Sequence, residues 1–189
     1  MKLKGTFVEP IVWWILMGGA TTGAFLFTYV ATQQNYRQSL NDPQIQIAED
    51  AVQALQGGAA ILDLVPNDKV DINASLKPFL IIYDTEGNPI AGNGYLGGQV
   101  MQTPFGVFQN AKNWGENRRT LEPLGDVRIA SVVIPFTGRE ANGYVLAGRN
   151  MREVENRIGV LSLHMILLWG ATMFSLLVGS FAGWFLLKR

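Results

Sequence analysis

The side chains that could perform acid–base or metal chemistry are few and widely separated in this sequence. The one histidine, His164, lies inside a long apolar segment, where an imidazole could serve as a proton relay or a metal ligand. Its position in the outer turns of that segment favours simple exposure at a membrane interface. Asp84 and Glu86 share a turn motif, and Glu153 and Glu155 share a polar helix. No general acid is therefore placed opposite a general base, and we expect no catalytic residue, no metal site and no cofactor.

The short motifs that mark common enzymes and metal sites are missing as well. The sequence contains no GxxxxGK[ST] phosphate loop, no HExxH zinc motif and no calcium loop, so we interpret the protein as a non-enzyme. It has no cysteine, which excludes thiol catalysis, disulfides and thiolate metal sites. Lysine plus arginine number 15, and so do aspartate plus glutamate, so no net field attracts nucleic acid.

Two apolar segments, one near each end of the chain, are long enough to cross a membrane. Residues 10–31 carry no charge, and as a helix they would extend about 33 Å. Residues 158–187 contain His164 as their only ionisable side chain. We expect two spanning helices in contact with membrane lipid, within the segments 1–31 and 158–189. Aromatic side chains near their ends suit an interfacial belt, and these are Trp13, Trp14, Tyr29 and Trp184.

A cleaved signal peptide is the alternative for the first apolar segment, and basic residues predict its orientation. The run is too long for a signal peptide, and Tyr29 lies where a small residue would precede a cut after Ala31. Lys2 and Lys4 precede the segment, whereas only Arg37 follows it closely. Although the charges around the second segment conflict with this bias, the first segment predicts that both termini are cytoplasmic in a cell (inner) membrane. The central domain would then be extracytoplasmic.

Small residues recur at every fourth position in both apolar segments. This spacing lets two helix backbones approach closely and predicts helix pairing, within one chain or in a homodimer. Glycine is also common in membrane helices, so a chance origin of the spacing stays open. The residues are Gly19 and Gly23 in the first segment, and Ala171, Ser175, Gly179 and Gly183 in the second.

Residues 32–157 show the pattern of one α+β domain that begins and ends with helices. Asp42 can cap and Pro43 can open an amphipathic helix that ends at the glycines 57–58 and packs on a sheet. Thr103 can cap, and Pro104 can open, a short second helix over the sheet. Helical periodicity resumes at residue 150 and continues into the second apolar segment. The apolar face of the first of these helices consists of Ile45, Ala48, Val52 and Leu55.

The strands of this domain are indicated by short apolar runs separated by turn residues. Residues 79–83 and 90–95 predict a hairpin across a turn that contains Gly87. Residues 118–122, 127–136 and 144–149 predict an antiparallel meander. Residues 59–78 carry mixed signals and are interpreted as a connecting segment.

This order of elements resembles the PAS-like Cache extracytoplasmic sensor domains of bacterial membrane receptors of the histidine-kinase type. The resemblance covers residues 32–158 and depends on four motifs: Asp84 and Gly87 in the hairpin turn, the segment at Pro104, the run at 128–136 and the run at 143–158. The last is similar to the exit from the sensor domain of membrane histidine kinases. The resemblance implies a PAS-like antiparallel sheet with flanking helices between two transmembrane helices.

The resemblance also implies a function and a ligand pocket. In PAS-like folds a ligand lies between the sheet and the helices over one face, which points to Tyr95, Trp114 and Arg128 as lining residues. The alternative is that these are ordinary core or surface residues. We expect a sensory module without catalytic output that signals through a membrane or signalling protein.

Other functions stay open at the level of sequence. The chain ends shortly after its second apolar segment, whereas such receptors continue into an output domain. A structural or accessory subunit of a membrane complex, whose exported domain binds protein, and a truncated sensor kinase or chemoreceptor are therefore the alternatives.

Overall fold

The computed structural model describes residues 8–39, 41–139 and 141–187, without the side chains of residues 37, 39, 41 and 42. These residues form two units: residues 8–36 with 156–187, and Arg37–Glu155. The sequence placed the domain at 32–157, a few residues wider at each end. Lys2 and Lys4, which carry the predicted orientation, lie outside the described residues, as do the basic residues 188 and 189. The same holds for the side chain of Asp42, so its predicted capping role stays a prediction.

The helices and strands follow the predicted order, with short additional elements. Helices α1 and α5 lie at the two ends and α2 to α4 lie in the domain. The strands form two runs, one of five before α4 and one of three after it. The helices are α1 (Val8–Ser39), α2 (Asn41–Gly57), α3 (Ile61–Leu64), α4 (Phe105–Trp114) and α5 (Arg152–Leu187). The strands are β1 (Val70–Asp71), β2 (Phe79–Asp84), β3 (Pro89–Gly92), β4 (Gly94–Leu96), β5 (Gln99–Val100), β6 (Asn117–Leu124), β7 (Val127–Thr137) and β8 (Asn142–Asn150).

A five-stranded sheet in the order β3-β2-β8-β7-β6 forms the centre of the domain. All its neighbouring strands pair antiparallel. The first and the last of its strands along the chain, β2 and β8, therefore lie side by side. The predicted hairpin β2–β3 and the predicted meander β6–β7–β8 are confirmed.

Both faces of this sheet are covered, which explains why β2 is apolar at every position from 79 to 83. Successive side chains of a strand point to opposite faces. Phe79, Ile81 and Tyr83 join the cluster that includes Phe108 of α4. Leu80 and Ile82 join the cluster that includes α2. The domain is thus an α+β arrangement in which helices flank the sheet, as the sequence predicted.

Helix α2 packs on the sheet through the face that its apolar spacing indicates. Ala48, Val52 and Leu55 are buried against β2, β7 and β8. The helix ends at Gly57, and Gly58 has a φ of +93°, a conformation that glycine adopts without strain. The predicted helix and its predicted end are confirmed.

A small second sheet was not expected. Strand β1 pairs parallel with β4, and β4 pairs antiparallel with β5. The predicted strand 90–95 is therefore wrong as one strand: it is divided at Asn93, whose side-chain Oδ1 accepts a hydrogen bond from the Leu80 amide at 2.8 Å. Asn93 turns the chain from the large sheet to the small one. The segment interpreted as a connection contains α3 and β1.

The predicted capping role of Thr103 is also wrong. Pro104 is the N-cap of α4, and no side chain there makes a capping hydrogen bond. The Thr103 hydroxyl instead lies 3.0 Å from the Tyr83 hydroxyl in the domain interior. Gly115, in the left-handed conformation, ends the helix where the sequence predicted.

Helices α1 and α5 carry the two apolar segments. The ranges Val8–Tyr36 and Arg152–Leu187 are long and apolar enough to cross a membrane. Helix α5 begins at Arg152 rather than at Asn150 and passes through Gly159 without a break.

Candidate functional site

The three residues predicted to line a ligand pocket have separate surroundings. Tyr95, in β4, is half-buried, with the Lys69 ammonium 4.9 Å from its ring centre. Trp114, the last residue of α4, is 82% exposed and therefore does not line an enclosed cavity. Arg128, in β7, is exposed and pairs with Glu155. A pocket that involves Tyr95 or Arg128 stays a prediction.

The interior between the sheet and α4, where the resemblance implies a ligand, holds closely packed aromatic side chains. The Phe108 ring lies 4.9 Å from the Tyr83 ring and 4.9 Å from the Tyr144 ring, measured between ring centres. Tyr83 and Phe108 are fully buried, and Phe79 is nearly so. We name Phe79, Tyr83, Phe108 and Tyr144 the aromatic core; it occupies the space with protein atoms.

Tyr83 is the polar member of the aromatic core. Its hydroxyl donates to the Met101 carbonyl at 2.6 Å and accepts from the Thr103 hydroxyl at 3.0 Å. Burial raises the pKa of Tyr83 far above its ordinary value, although the Thr103 hydrogen bond lowers it. The hydroxyl is therefore a neutral structural donor.

The carboxylate of Asp84 organises the hairpin turn, as its position in the sequence indicated. It accepts backbone hydrogen bonds from Glu86 and Asn88, each at 2.8 Å, and a side-chain bond from Asn88 at 3.0 Å. The Asn88 side chain, followed by these backbone amides, lowers the pKa of Asp84. This turn has no catalytic arrangement.

A dense set of contacts lies where β8 leads into α5. Only Met151 separates the last residue of β8 from the first residue of α5. The buried Asn150 side chain accepts from the Arg152 amide at 2.7 Å and donates to the Ile72 carbonyl at 2.7 Å. One side chain thus caps α5 and binds the segment after β1.

Two arginines bind the same segment, residues 72–76. Arg149 Nε donates to the Leu76 carbonyl at 2.8 Å, and Arg152 Nη2 donates to the Ala74 carbonyl at 3.0 Å. Together with Asn150, they satisfy three carbonyls that have no strand partner. The 72–76 segment is consequently fixed to both sides of the β8–α5 connection.

The meander contacts the first turn of α5 as well. Arg128 Nη1 lies 2.6 Å from Glu155 Oε1, and the Arg128 carbonyl accepts from the Met151 amide at 2.8 Å. We name the five residues Arg128, Arg149, Asn150, Arg152 and Glu155 the junction cluster. It joins β7, β8, the 72–76 segment and α5.

The junction cluster holds groups in position and does not carry reaction chemistry. Its cations pair with carbonyls and with one carboxylate, and it has no nucleophile beside a base. Among the described residues, no group of three or more His, Cys, Asp or Glu side chains could hold a metal. The sequence placed Arg128 in a pocket and did not identify the cluster. The polar run after an apolar strand, with Asn150 before a helix, was the signal that could have indicated it.

In the unit of residues 8–36 with 156–187, α1 and α5 are antiparallel, and three hydrogen bonds between described side chains and the other helix join them. Trp14 Nε1 donates to the Met173 carbonyl at 3.0 Å, and Trp169 Nε1 donates to the Thr22 hydroxyl at 2.9 Å. The third joins the Tyr29 and Ser162 hydroxyls at 3.0 Å. We name these three pairs the polar seam. Trp14 and Tyr29, predicted as interfacial anchors, thus bond to the other helix.

The predicted small-residue positions are not points of close packing between the two helices of one chain, although Gly179 and Gly183 line a groove together with Trp13 of α1. A Cβ atom on Gly18 would lie 2.7 Å from Met173 Cε, so Gly18 is the position of close approach. A Cβ atom on Gly19, Gly23, Gly179 or Gly183 would meet nothing within 4 Å, and Ala171 and Ser175 are exposed. Pairing of these residues with a second copy stays a prediction. His164 is also exposed, and its Nδ1 lies 2.9 Å from the Val160 carbonyl of its own helix.

The sequence matches no protein-family model and has no significant match among curated proteins.

Proposed function

We propose that the protein is a membrane-anchored extracytoplasmic sensory module that has no catalytic output and signals through a partner protein. The observation that supports this function is the junction cluster. It binds the first turn of α5, the helix that carries the second apolar segment, to β7 through Arg128, to β8 through Asn150 and to the 72–76 segment through the Ala74 carbonyl.

The proposed mechanism follows from this connection. A ligand or partner that favours another packing of the meander or of the 72–76 segment would change the hydrogen bonds to Arg152 and Glu155. Because Met151 is the only residue between β8 and α5, little of that change can be absorbed by a flexible linker. Helix α5 would then shift relative to α1, as switching elements do.

Orientation and assembly belong to the same proposal. With both termini in the cytoplasm, as Lys2 and Lys4 favour, the domain lies outside the cytoplasm and the partner lies in or near the membrane. The PAS-like character of the domain is supported by its antiparallel sheet with helices on both faces. The small residues of α1 and α5, most of which are exposed, would provide the contact of a homodimer with a second copy of the chain.

The absence of cysteine allows a direct test of coupling. Spin labels on Val12→Cys and Leu186→Cys, both exposed positions, report the separation of the two helices by pulsed electron resonance. Arg128→Ala with Arg152→Ala should change the distance distribution, because two side-chain contacts that hold the first turn of α5 are removed. Insertion of two glycines after Gly159 should abolish that change.

A matched variant controls for loss of surface charge. Arg118→Ala with Arg119→Ala removes two exposed arginines of β6 outside the junction cluster and should leave the distribution as in the parent. We call the variant with Arg128→Ala and Arg152→Ala the junction variant. If its distance distribution is unchanged, or if the glycine insertion has no effect, α5 does not transmit a change from the domain to the helix pair.

The aromatic core favours a second function, an accessory subunit whose domain binds protein and no small molecule. A space filled by Tyr83, Phe108 and Tyr144 leaves little room for a ligand on that face of the sheet. In this case, mild detergent should release a stoichiometric complex that forms equally well with the junction variant. Loss of the complex in the glycine-insertion variant would argue against the accessory role.

A further inference from the structure

An open groove lies between α2, α3 and the start of β2, where Leu80 and the aromatic-core residue Phe79 both line it. Its volume is about 340 Å³. Ile47 and Leu64 form apolar walls, and Pro66 and Pro78 form further rigid surface. Pockets for small molecules in proteins usually begin near this size and have apolar walls.

Asn93 supplies a hydrogen-bond donor to this groove. The residue lines the groove and is 3% exposed. Its backbone amide donates to the Leu80 carbonyl at 3.0 Å, and its Oδ1 accepts from the Leu80 amide at 2.8 Å. Its Nδ2 has no hydrogen-bond partner in the described part of the chain. A fixed side chain therefore presents an unused donor.

Asp50 supplies a negative charge at the same groove. It lies on α2, is exposed and has no ion pair within the ranges that the structure describes. Residues 38–68, which include both helical walls, contain five carboxylates and no lysine or arginine, and Lys69 follows directly. Lys69 lies over the Tyr95 ring, and Lys77 is paired with Asp68 at 3.2 Å. Asp50 is therefore the one charged side chain among the described residues that line the groove, and it favours a cation there.

We propose that this groove binds a small organic cation, an amine carried on an apolar body. The ammonium group pairs with Asp50, the apolar body lies against Ile47 and Leu64, and Asn93 Nδ2 donates to a hydroxyl or carbonyl of the ligand. This site goes beyond the proposed function, because binding requires no movement of α5.

Three probes of similar size and different charge test the proposal. Phenylalaninol carries an amine and a hydroxyl, 3-phenylpropanol lacks the amine, and 3-phenylpropionate is an anion. Calorimetric titration of the full chain in lipid nanodiscs, with empty nanodiscs as the blank, measures each affinity. Phenylalaninol should bind about fivefold more tightly than the alcohol, a factor typical of one partly exposed ion pair. The anion should bind more weakly than both.

Two neighbouring substitutions locate the charge. Asp50→Asn should reduce the affinity for phenylalaninol to that for 3-phenylpropanol. Glu49→Gln removes the adjacent exposed carboxylate, which does not line the groove, and should leave the affinity unchanged. Thermal unfolding of both variants should match the parent, since both side chains are exposed.

The proposal is overturned if the three probes bind equally, if Asp50→Asn retains the preference for the amine, or if no probe binds at millimolar concentration. Binding of a polylysine peptide without binding of phenylalaninol would also overturn it, because the groove would then be a protein interface. None of these outcomes depends on the spin-label experiment. The proposed coupling through α5 and the proposed amine site can therefore be refuted separately.

Discussion

Gln44 is the residue whose environment agrees least with its chemistry. It lies in the first turns of α2 on the same face as Ala48, and its side chain is completely buried. Neither its Oε1 nor its Nε2 has a hydrogen-bond partner among the residues that the structure describes. A buried amide without partners loses its hydrogen bonds to water and destabilises the fold.

Replacement of Gln44 by leucine should therefore stabilise the domain. We expect Gln44→Leu to raise the free energy of unfolding by about 1–3 kcal/mol, the usual penalty of unsatisfied buried polar groups. Gln53→Leu, at an exposed position of the same helix, should have little effect. Urea unfolding of the full chain in detergent, followed by circular dichroism, measures both. A destabilised Gln44→Leu variant would show that the amide has a partner in solution.

Residue types predicted roles that depend on neighbours in the sequence better than contacts with residues far along the chain. Asp84 serves the hairpin turn, and Gly58 and Gly115 end helices, because each of these roles depends on neighbours along the chain. Thr103 had equally good capping chemistry but bonds to Tyr83, twenty residues earlier. Asn150 contacts Ile72 across 78 positions, and no local pattern could predict that contact.

At the scale of elements, the packing of β2 beside β8 depends on a glycine opposite an aromatic ring. A Cβ atom on Gly148 of β8 would lie 2.5 Å from Cζ of Phe79, which is almost fully buried. The two residues are direct partners in the sheet. The absence of a side chain at 148 therefore provides the space that the Phe79 ring occupies.

Gly148→Ala should destabilise the domain by about 1–3 kcal/mol, because an overpacked core must shift a ring or a strand. Gly106→Ala is a matched control: it lies on α4, where a Cβ atom would meet nothing within 4 Å. There, the same change should be neutral or stabilise the helix by less than about 1 kcal/mol. Thermal unfolding of the full chain compares them, and equal melting temperatures would contradict the close packing of Gly148.

The main elements could be predicted because each has its own periodicity. The apolar stripe of α2 and the continuous apolar runs of β2 and β7 indicate how each is buried. The two-residue strand β1 has no periodicity, and its parallel pairing with β4 joins residues about two dozen positions apart. The small sheet, and therefore the position of Tyr95, depends on that pairing and could not be derived locally.

At the scale of the whole molecule, the two apolar helices were predicted from composition, whereas their contact was not. Length and lack of charge identify a candidate span, but they do not indicate which side faces a neighbour. The sequence favoured the small-residue stripes, and the helix pair instead uses Gly18 and the polar seam.

Adjacent tryptophans allow a test of the polar seam. Trp14→Phe removes the hydrogen bond to the Met173 carbonyl and should weaken the α1–α5 association by about 1 kcal/mol, a common value for interhelical bonds in membranes. Trp13→Phe, at a position that is 60% exposed, should leave the association of α1 with α5 unchanged. Disulfide cross-linking between cysteines placed on the two helices in native membranes compares the variants. Equal cross-linking in both would show that the Trp14 bond does not stabilise the pair.

The polar seam also determines when the helix pair can form during biosynthesis. Its three pairs join residues separated by 159, 147 and 133 positions. If both helices cross a bilayer, as their length and composition predict, the first enters it while Trp14 and Tyr29 still lack these partners, and the domain is synthesised before the second helix arrives. Closure of the helix pair is consequently a late event in maturation. Nascent chains halted before residue 162 would expose the Tyr29 side of the first helix to chaperones and quality-control proteases of the membrane.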